Sequence, residues 1–189
     1  MKIVMLRHGT RQREDDPDCD EHLEKLLPLS SQGQLEVRER ALDLKGLEIS
    51  PDVYLTSCFL HSRQTGEILR DTLSHASVDV VELCTLTPHY QGPRGSRGNW
   101  RGVQMLEGIT QESNFKRKNL RELDTVAFIL HQPRLQQLLA TMTSQGETQF
   151  SGIKYSEGFC IRAESIEAFL RGQGVVEAHV TSERTSGRV

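Results

Sequence analysis

Two short apolar runs, far apart in the chain, each end in a histidine. The first, Lys2-Ile3-Val4-Met5-Leu6, leads into Arg7-His8-Gly9-Thr10. The second, Thr125-Val126-Ala127-Phe128-Ile129-Leu130, leads into His131-Gln132-Pro133. Continuous apolar runs of this length read as strands buried on both faces. Such strands belong to parallel sheets, which need a crossover, usually a helix, between successive strands. The sequence between the two runs has the pattern to supply them. Ser31-Gln32-Gly33-Gln34 reads as a capping box, with Ser31 as N-cap and Gln34 at N3. The helix it opens turns Glu36, Arg38, Glu39 and Arg40 outward and ends at Lys45-Gly46, a basic residue followed by a C′ glycine. Val53 to Thr56 is a strand, Leu60 to Leu73 a helix, and Val78 to Leu83 a third strand. A weaker amphipathic helix covers Val103 to Lys116. Pro133 suits the first turn of a helix running to Met142. Phe159-Cys160-Ile161 and Val175-Val176 read as strands flanking a helix that contains Ile166, Phe169 and Leu170. The alternation predicts an α/β fold, a three-layer sandwich with a mostly parallel central sheet.

The remaining stretches are polar or broken. Residues 11 to 29 read as a surface loop. Its alternation of Asp16, Asp18 and Asp20 resembles the start of a calcium loop, but Glu21 stands where glycine is needed and Leu27 where glutamate is needed. From Thr85 to Gly102 the pattern is interrupted by Pro88, Gly92, Pro93, Gly95, Gly98 and Gly102. Arg94, Arg97 and Arg101 surround Trp100 there, as a surface loop or as a basic lid over an anionic substrate. A single domain over residues 1 to 180, with a basic loop at 91 to 102 and a flexible tail at 181 to 189, is expected for 189 residues. The net charge of −3 gives no reason to expect nucleic-acid affinity. Cys19, Cys58, Cys84 and Cys160 are scattered with no C-x-x-C pair, which argues against a zinc knuckle or disulfide framework. With no apolar leader or spanning run, a reducing, cytoplasmic setting away from membranes is expected.

Parallel strands place their carboxyl ends on one edge of the sheet, where open α/β sheets hold their ligands. His8 and His131 therefore meet across one crevice. Arg7 offers a planar fork of donors matched to phosphate. Histidine offers a neutral nitrogen near physiological pH, able to act as nucleophile or proton carrier.

These residues resemble the histidine phosphatase superfamily, with its phosphoglycerate-mutase-like fold. Arg7-His8-Gly9 is similar to the Arg-His-Gly that ends the family's first strand. Leu29-Ser30-Ser31-Gln32-Gly33 is similar to its Leu-Ser/Thr-x-x-Gly before the first helix. Leu55-Thr56-Ser57 through Gln64-Thr65-Gly66-Glu67-Ile68-Leu69 resembles its second motif, and His131-Gln132-Pro133 the motif of its second catalytic histidine. Leu86-Thr87-Pro88 and the short chain point to the SixA-like phosphohistidine phosphatases. The resemblance implies that His8 attacks phosphorus and becomes phosphohistidine, which water then hydrolyses to release inorganic phosphate. Arg7 and His131 would hold the phosphoryl oxygens, with Gly9 and Thr10 beside them. No cofactor or metal is implied. The substrate implied is a phosphohistidine protein; a small phosphate ester is the alternative. Glu82, His89 and Glu107 are candidates to protonate the leaving group. Two positions depart from the pattern. Leu130 stands where the family has a small residue. His61 stands where it has an arginine, four residues after Ser57. His61 replaces that charge only if protonated; Arg63 or a loop arginine is the other candidate. Without a substitute, the chain would be a catalytically impaired phosphate-binding module.

Overall fold

The computed structural model describes residues 1–12, 21–73, 77–87, 108–109, 111–112, 119–132, 134–145 and 147–181. Among the described residues, six strands form one sheet: β1 (Lys2–Arg7), β2 (Val53–Thr56), β3 (Asp79–Glu82), β4 (Thr125–Leu130), β5 (Gly158–Arg162) and β6 (Val175–Val180). The helices with both ends among the described residues are α1 (Glu21–Glu24), α2 (Ser31–Gly46), α3 (Leu60–Thr72), α4 (Arg134–Thr143) and α5 (Ile166–Leu170). Residues 108–109 and 111–112 are helical too, and the rest of the helix expected over Val103 to Lys116 lies outside the described residues. The strand order is β3-β2-β4-β1-β5-β6. The pairings β3-β2, β2-β4 and β4-β1 are parallel, whereas β5 pairs antiparallel with both β1 and β6. The mostly parallel α/β sandwich expected from the sequence is the architecture observed.

Alternation along the strands divides the core into two layers. Ile3, Met5, Val53, Leu55, Val126, Phe128 and Leu130 pack with Leu135, Leu138, Leu139 and Met142 of α4 and with Ile166 and Phe169 of α5. Val4, Leu6, Tyr54, Ala127 and Ile129 face the other way and pack with Val37, Ala41 and Leu44 of α2 and Leu69 of α3. β1 and β4 are therefore sandwiched, as their uninterrupted apolar sequences require. Asp52 ties the start of β4 to that of β2, its Oδ2 accepting from Asp124 N at 2.9 Å and Thr125 N at 2.8 Å.

Several local expectations are corrected. The N-cap of α2 is Ser30, not Ser31: its hydroxyl accepts from Gly33 N at 3.0 Å and donates to Thr10 O at 3.0 Å. Gly46 is the last helical residue, not a C′ glycine, and positive φ falls on Glu48 instead (55°). Arg40 is buried, not outward-facing. It shares the stripe of Val37, Ala41 and Leu44 by helical spacing, and its guanidinium is met by Asp43 and by Thr181 O. Leu35 and Leu42, off that stripe, are exposed. The polar segment after β1 is not all loop: Arg11 bridges to Leu29, and α1 lies between them. Residues 88–107, with the arginine-rich loop, lie outside the described residues, as do Pro133 and the tail from 182.

Candidate active site

The sheet register assembles the site. Arg7 pairs with Leu130 across β1 and β4, and Thr56 with Ile129 across β2 and β4. His8 N continues the ladder by donating to Leu130 O at 3.1 Å. Just beyond their neighbouring strand ends, Ser57, His131 and His8 thus lie side by side. The His8 and His131 ring centroids are 4.6 Å apart. Ser57 Oγ lies 2.6 Å from His131 Nε2.

His61 completes the cluster from the first turn of α3. Its ring centroid is 4.3 Å from that of His8 and 5.2 Å from that of His131. All three histidines are buried. The segment before α2 braces this turn: Leu60 N donates to Lys25 O at 2.9 Å, and His61 Nδ1 donates to Leu27 O at 3.0 Å. Thr65 joins the turn to the opening motif, its hydroxyl accepting from Gly9 N at 3.2 Å and donating to His61 O at 2.8 Å.

Carbonyl partners fix two of the rings. A carbonyl oxygen only accepts, so the nitrogen facing it carries the proton. His8 Nδ1 donates to Gly9 O at 2.8 Å, which leaves Nε2 with its lone pair. His61 is fixed in the same sense by Leu27 O, and its Nε2 is buried with no hydrogen-bond partner. Burial, reinforced by repulsion from His131 and His61, pushes the His8 pKa well below 6.5. Burial also lowers His61 to about 4. In the free site both rings are neutral near pH 7. The protonated His61 that would replace the family arginine is therefore not the form the unliganded chain holds.

The loop before β5 wraps the end of β1. Ser156 N donates to His8 O at 3.1 Å, and Arg7 N donates to Glu157 O at 2.8 Å. Arg7 Nη1 donates to Ile153 O at 2.9 Å. The guanidinium carbon of Arg7 sits 3.6 Å from the centroid of the Tyr155 ring, which is itself 5.3 Å from the His8 ring. The ring face attracts the cation and holds it in place, and Arg7 Nε is buried with no hydrogen-bond partner. Nothing in the sequence around Tyr155 marks it; only the return of the chain along β5 brings it here.

The other candidate residues are placed as follows. Gly9 lies where α2 approaches β1: a Cβ there would come within 2.8 Å of Gly33 O and of Val37 Cγ2. Thr10 is engaged by Glu36, which accepts from its N at 3.2 Å and from its hydroxyl at 2.9 Å. Arg63 is not brought into the cluster. It is half exposed on the outer side of α3, where it pairs with Glu67 at 3.5 Å and Glu82 at 3.3 Å. Glu82 is engaged there with it, and His89 and Glu107 lie outside the described residues. Leu130 points into the α4 layer, so its bulk belongs to the core rather than to the crevice.

No protein-family model matches the chain, and no curated protein matches it by sequence. Solved structures do match. The protein histidine phosphatase SixA in complex with tungstate aligns with a TM-score of 0.68 at 21% identity, covering 96% of this chain and 97% of that one. This is the histidine phosphatase fold. A second SixA, described as a putative phosphohistidine phosphatase from Agrobacterium tumefaciens, aligns at 0.66 and 15% identity over 95% of this chain and 97% of that one. A mycobacterial glucosyl-3-phosphoglycerate phosphatase in complex with VO3 aligns at 0.63 and 15% identity over 94% and 97%. The phosphoglycerate-mutase-like architecture expected from the motifs is thus the one the described residues adopt.

Proposed function

We propose that this chain is a phosphatase that works through a phosphohistidine formed on His8, with a phosphohistidine of a protein partner as substrate. The observation that carries the reading is the bare Nε2 of His8, its ring fixed by Gly9 O and set beside His131 at neighbouring strand ends. Likeness to phosphatases with tungstate or VO3 bound supports an oxyanion in this crevice.

In the first step the Nε2 lone pair attacks phosphorus and the bond to the leaving group breaks. The leaving group keeps the electron pair and takes up a proton. In the second step water attacks the same phosphorus, the P–Nε2 bond breaks, and its electron pair returns to Nε2. Inorganic phosphate leaves with the oxygen of water, and one proton passes to solvent. Arg7 and His131 donate to the equatorial oxygens, where charge concentrates. Imidazole leaves more readily than an alkoxide, so a phosphohistidine substrate asks less of a proton donor. A neutral His61 leaves one cation fewer than the family pattern, which favours slow turnover; loss of one such donor costs about 10²–10³ in rate.

The test is a trapped phosphoenzyme. Acid-labile phosphate should appear on the wild-type chain after mixing with a phosphohistidine protein and be absent from His8→Ala. Sugar phosphates run in parallel distinguish the alternative, since turnover of these alone overturns the protein substrate. Vanadate binding without any phosphoenzyme would leave a phosphate-binding module instead.

A further inference from the structure

We propose that His8, His61 and His131 form a three-imidazole site for a single zinc-type divalent cation. One ring nitrogen from each lies within 4.8 Å of the other two, and all three side chains are buried. The three arrive from different elements, the ends of β1 and β4 and the first turn of α3, so the fold itself gathers them.

Three features distinguish this cluster from a chance meeting of histidines. His8 and His61 each donate Nδ1–H to a backbone carbonyl, Gly9 O at 2.8 Å and Leu27 O at 3.0 Å. Metal-bound histidines are oriented in the same way, with the outer nitrogen tied to a carbonyl or carboxylate. His61 Nε2 is buried and has no hydrogen-bond partner, so it is an acceptor without a donor. A cation is the natural complement of such a lone pair. Lastly, the donor set is imidazole alone, which suits zinc or copper and not calcium or magnesium. Tetrahedral Zn–N bonds of about 2.0–2.1 Å place ligand nitrogens roughly 3.3 Å apart. The spacing of up to 4.8 Å is wider than that, so binding requires the rings to move inward. Three protein ligands leave the fourth tetrahedral position to water or an oxyanion.

The site does not depend on the phosphatase reading; only its consequence does. A metal on His8 Nε2 occupies the lone pair that would attack phosphorus, so metal binding and phosphoryl transfer exclude one another.

The experiment is calorimetric titration of the tag-free, chelator-stripped chain with Zn2+ in phosphate-free buffer. One Zn2+ per chain is expected. His61→Arg and His61→Gln should each weaken binding about 100-fold, while His179→Gln should not weaken it. Circular dichroism checks that the variants fold. X-ray absorption at the zinc edge of the wild-type chain gives a reading that needs no variant: three imidazole scatterers are expected. Equal affinity in wild type and His61 variants, or fewer than three imidazoles, overturns the site. A phosphoenzyme without His61-dependent zinc binding overturns the metal site alone. Zinc binding, with no phosphoenzyme formed by the chelator-stripped, metal-free chain, overturns the phosphatase reading alone.

Discussion

The His61 ring donates Nδ1–H to Leu27 O and has its pKa lowered by burial from 6.5 to about 4. Its protonated form is favoured in the unfolded chain, where the pKa stays near 6.5. Stability from this residue is therefore fully present above about pH 6.5 and is lost as pH falls from there to about 4. At about 1.4 kcal/mol per unit, the loss amounts to roughly 3 kcal/mol. Urea denaturation of the chelator-treated chain at pH 7.5 and pH 4.5, followed by circular dichroism, measures it. His61→Gln should lose clearly less stability over this interval than the wild type. Equal losses would show that the His61 ring is not held neutral by burial. At this scale the sequence showed which residue departs from the family pattern, but not its charge state. That state follows from the Leu27 carbonyl and from burial, neither of which has a local signature.

At the scale of the element, α2 was legible in type and extent but misread by one residue at its start. Ser30 and Ser31 both have the chemistry of an N-cap. The choice falls to Ser30 because its hydroxyl also donates to Thr10 O, which follows the opening motif. A sequence pattern sees the helix side of that bond and not the strand side. Ser30→Ala should cost about 1 kcal/mol in thermal or urea unfolding, whereas exposed Ser31→Ala should be nearly silent. The reverse order would restore Ser31 as the cap. The burial of Arg40 was missed for a related reason. Its charge suggests the surface, but its spacing from Val37, Ala41 and Leu44 puts it in the core stripe, where Asp43 and Thr181 O meet the charge.

Over the whole molecule, the parallel half of the sheet was the readable half. β1, β2 and β4 are short apolar runs bounded by turn residues, and their shared direction places His8, Ser57 and His131 on one edge. The antiparallel return through β5 was readable as a strand but not as a contributor to the site. Its loop nonetheless supplies Ile153 O, Ser156 N, Glu157 O and the Tyr155 ring to the end of β1. The site is thus closed by chain that lies far from the opening motif in sequence. If Tyr155 orients Arg7 through its ring face, Tyr155→Phe should keep most of the oxyanion affinity. Tyr155→Leu removes the face while keeping an apolar side chain. A cation–π contact contributes about 0.5–2 kcal/mol, so the Leu variant should bind orthovanadate about 2–30-fold more weakly. Vanadate titration followed by calorimetry, with Arg7→Lys as a second variant, checks the assignment. Arg7→Lys removes the planar fork, and on that background Tyr155→Leu should have a smaller effect than in the wild type. If the two effects simply add, Tyr155 acts on the anion by a route other than Arg7.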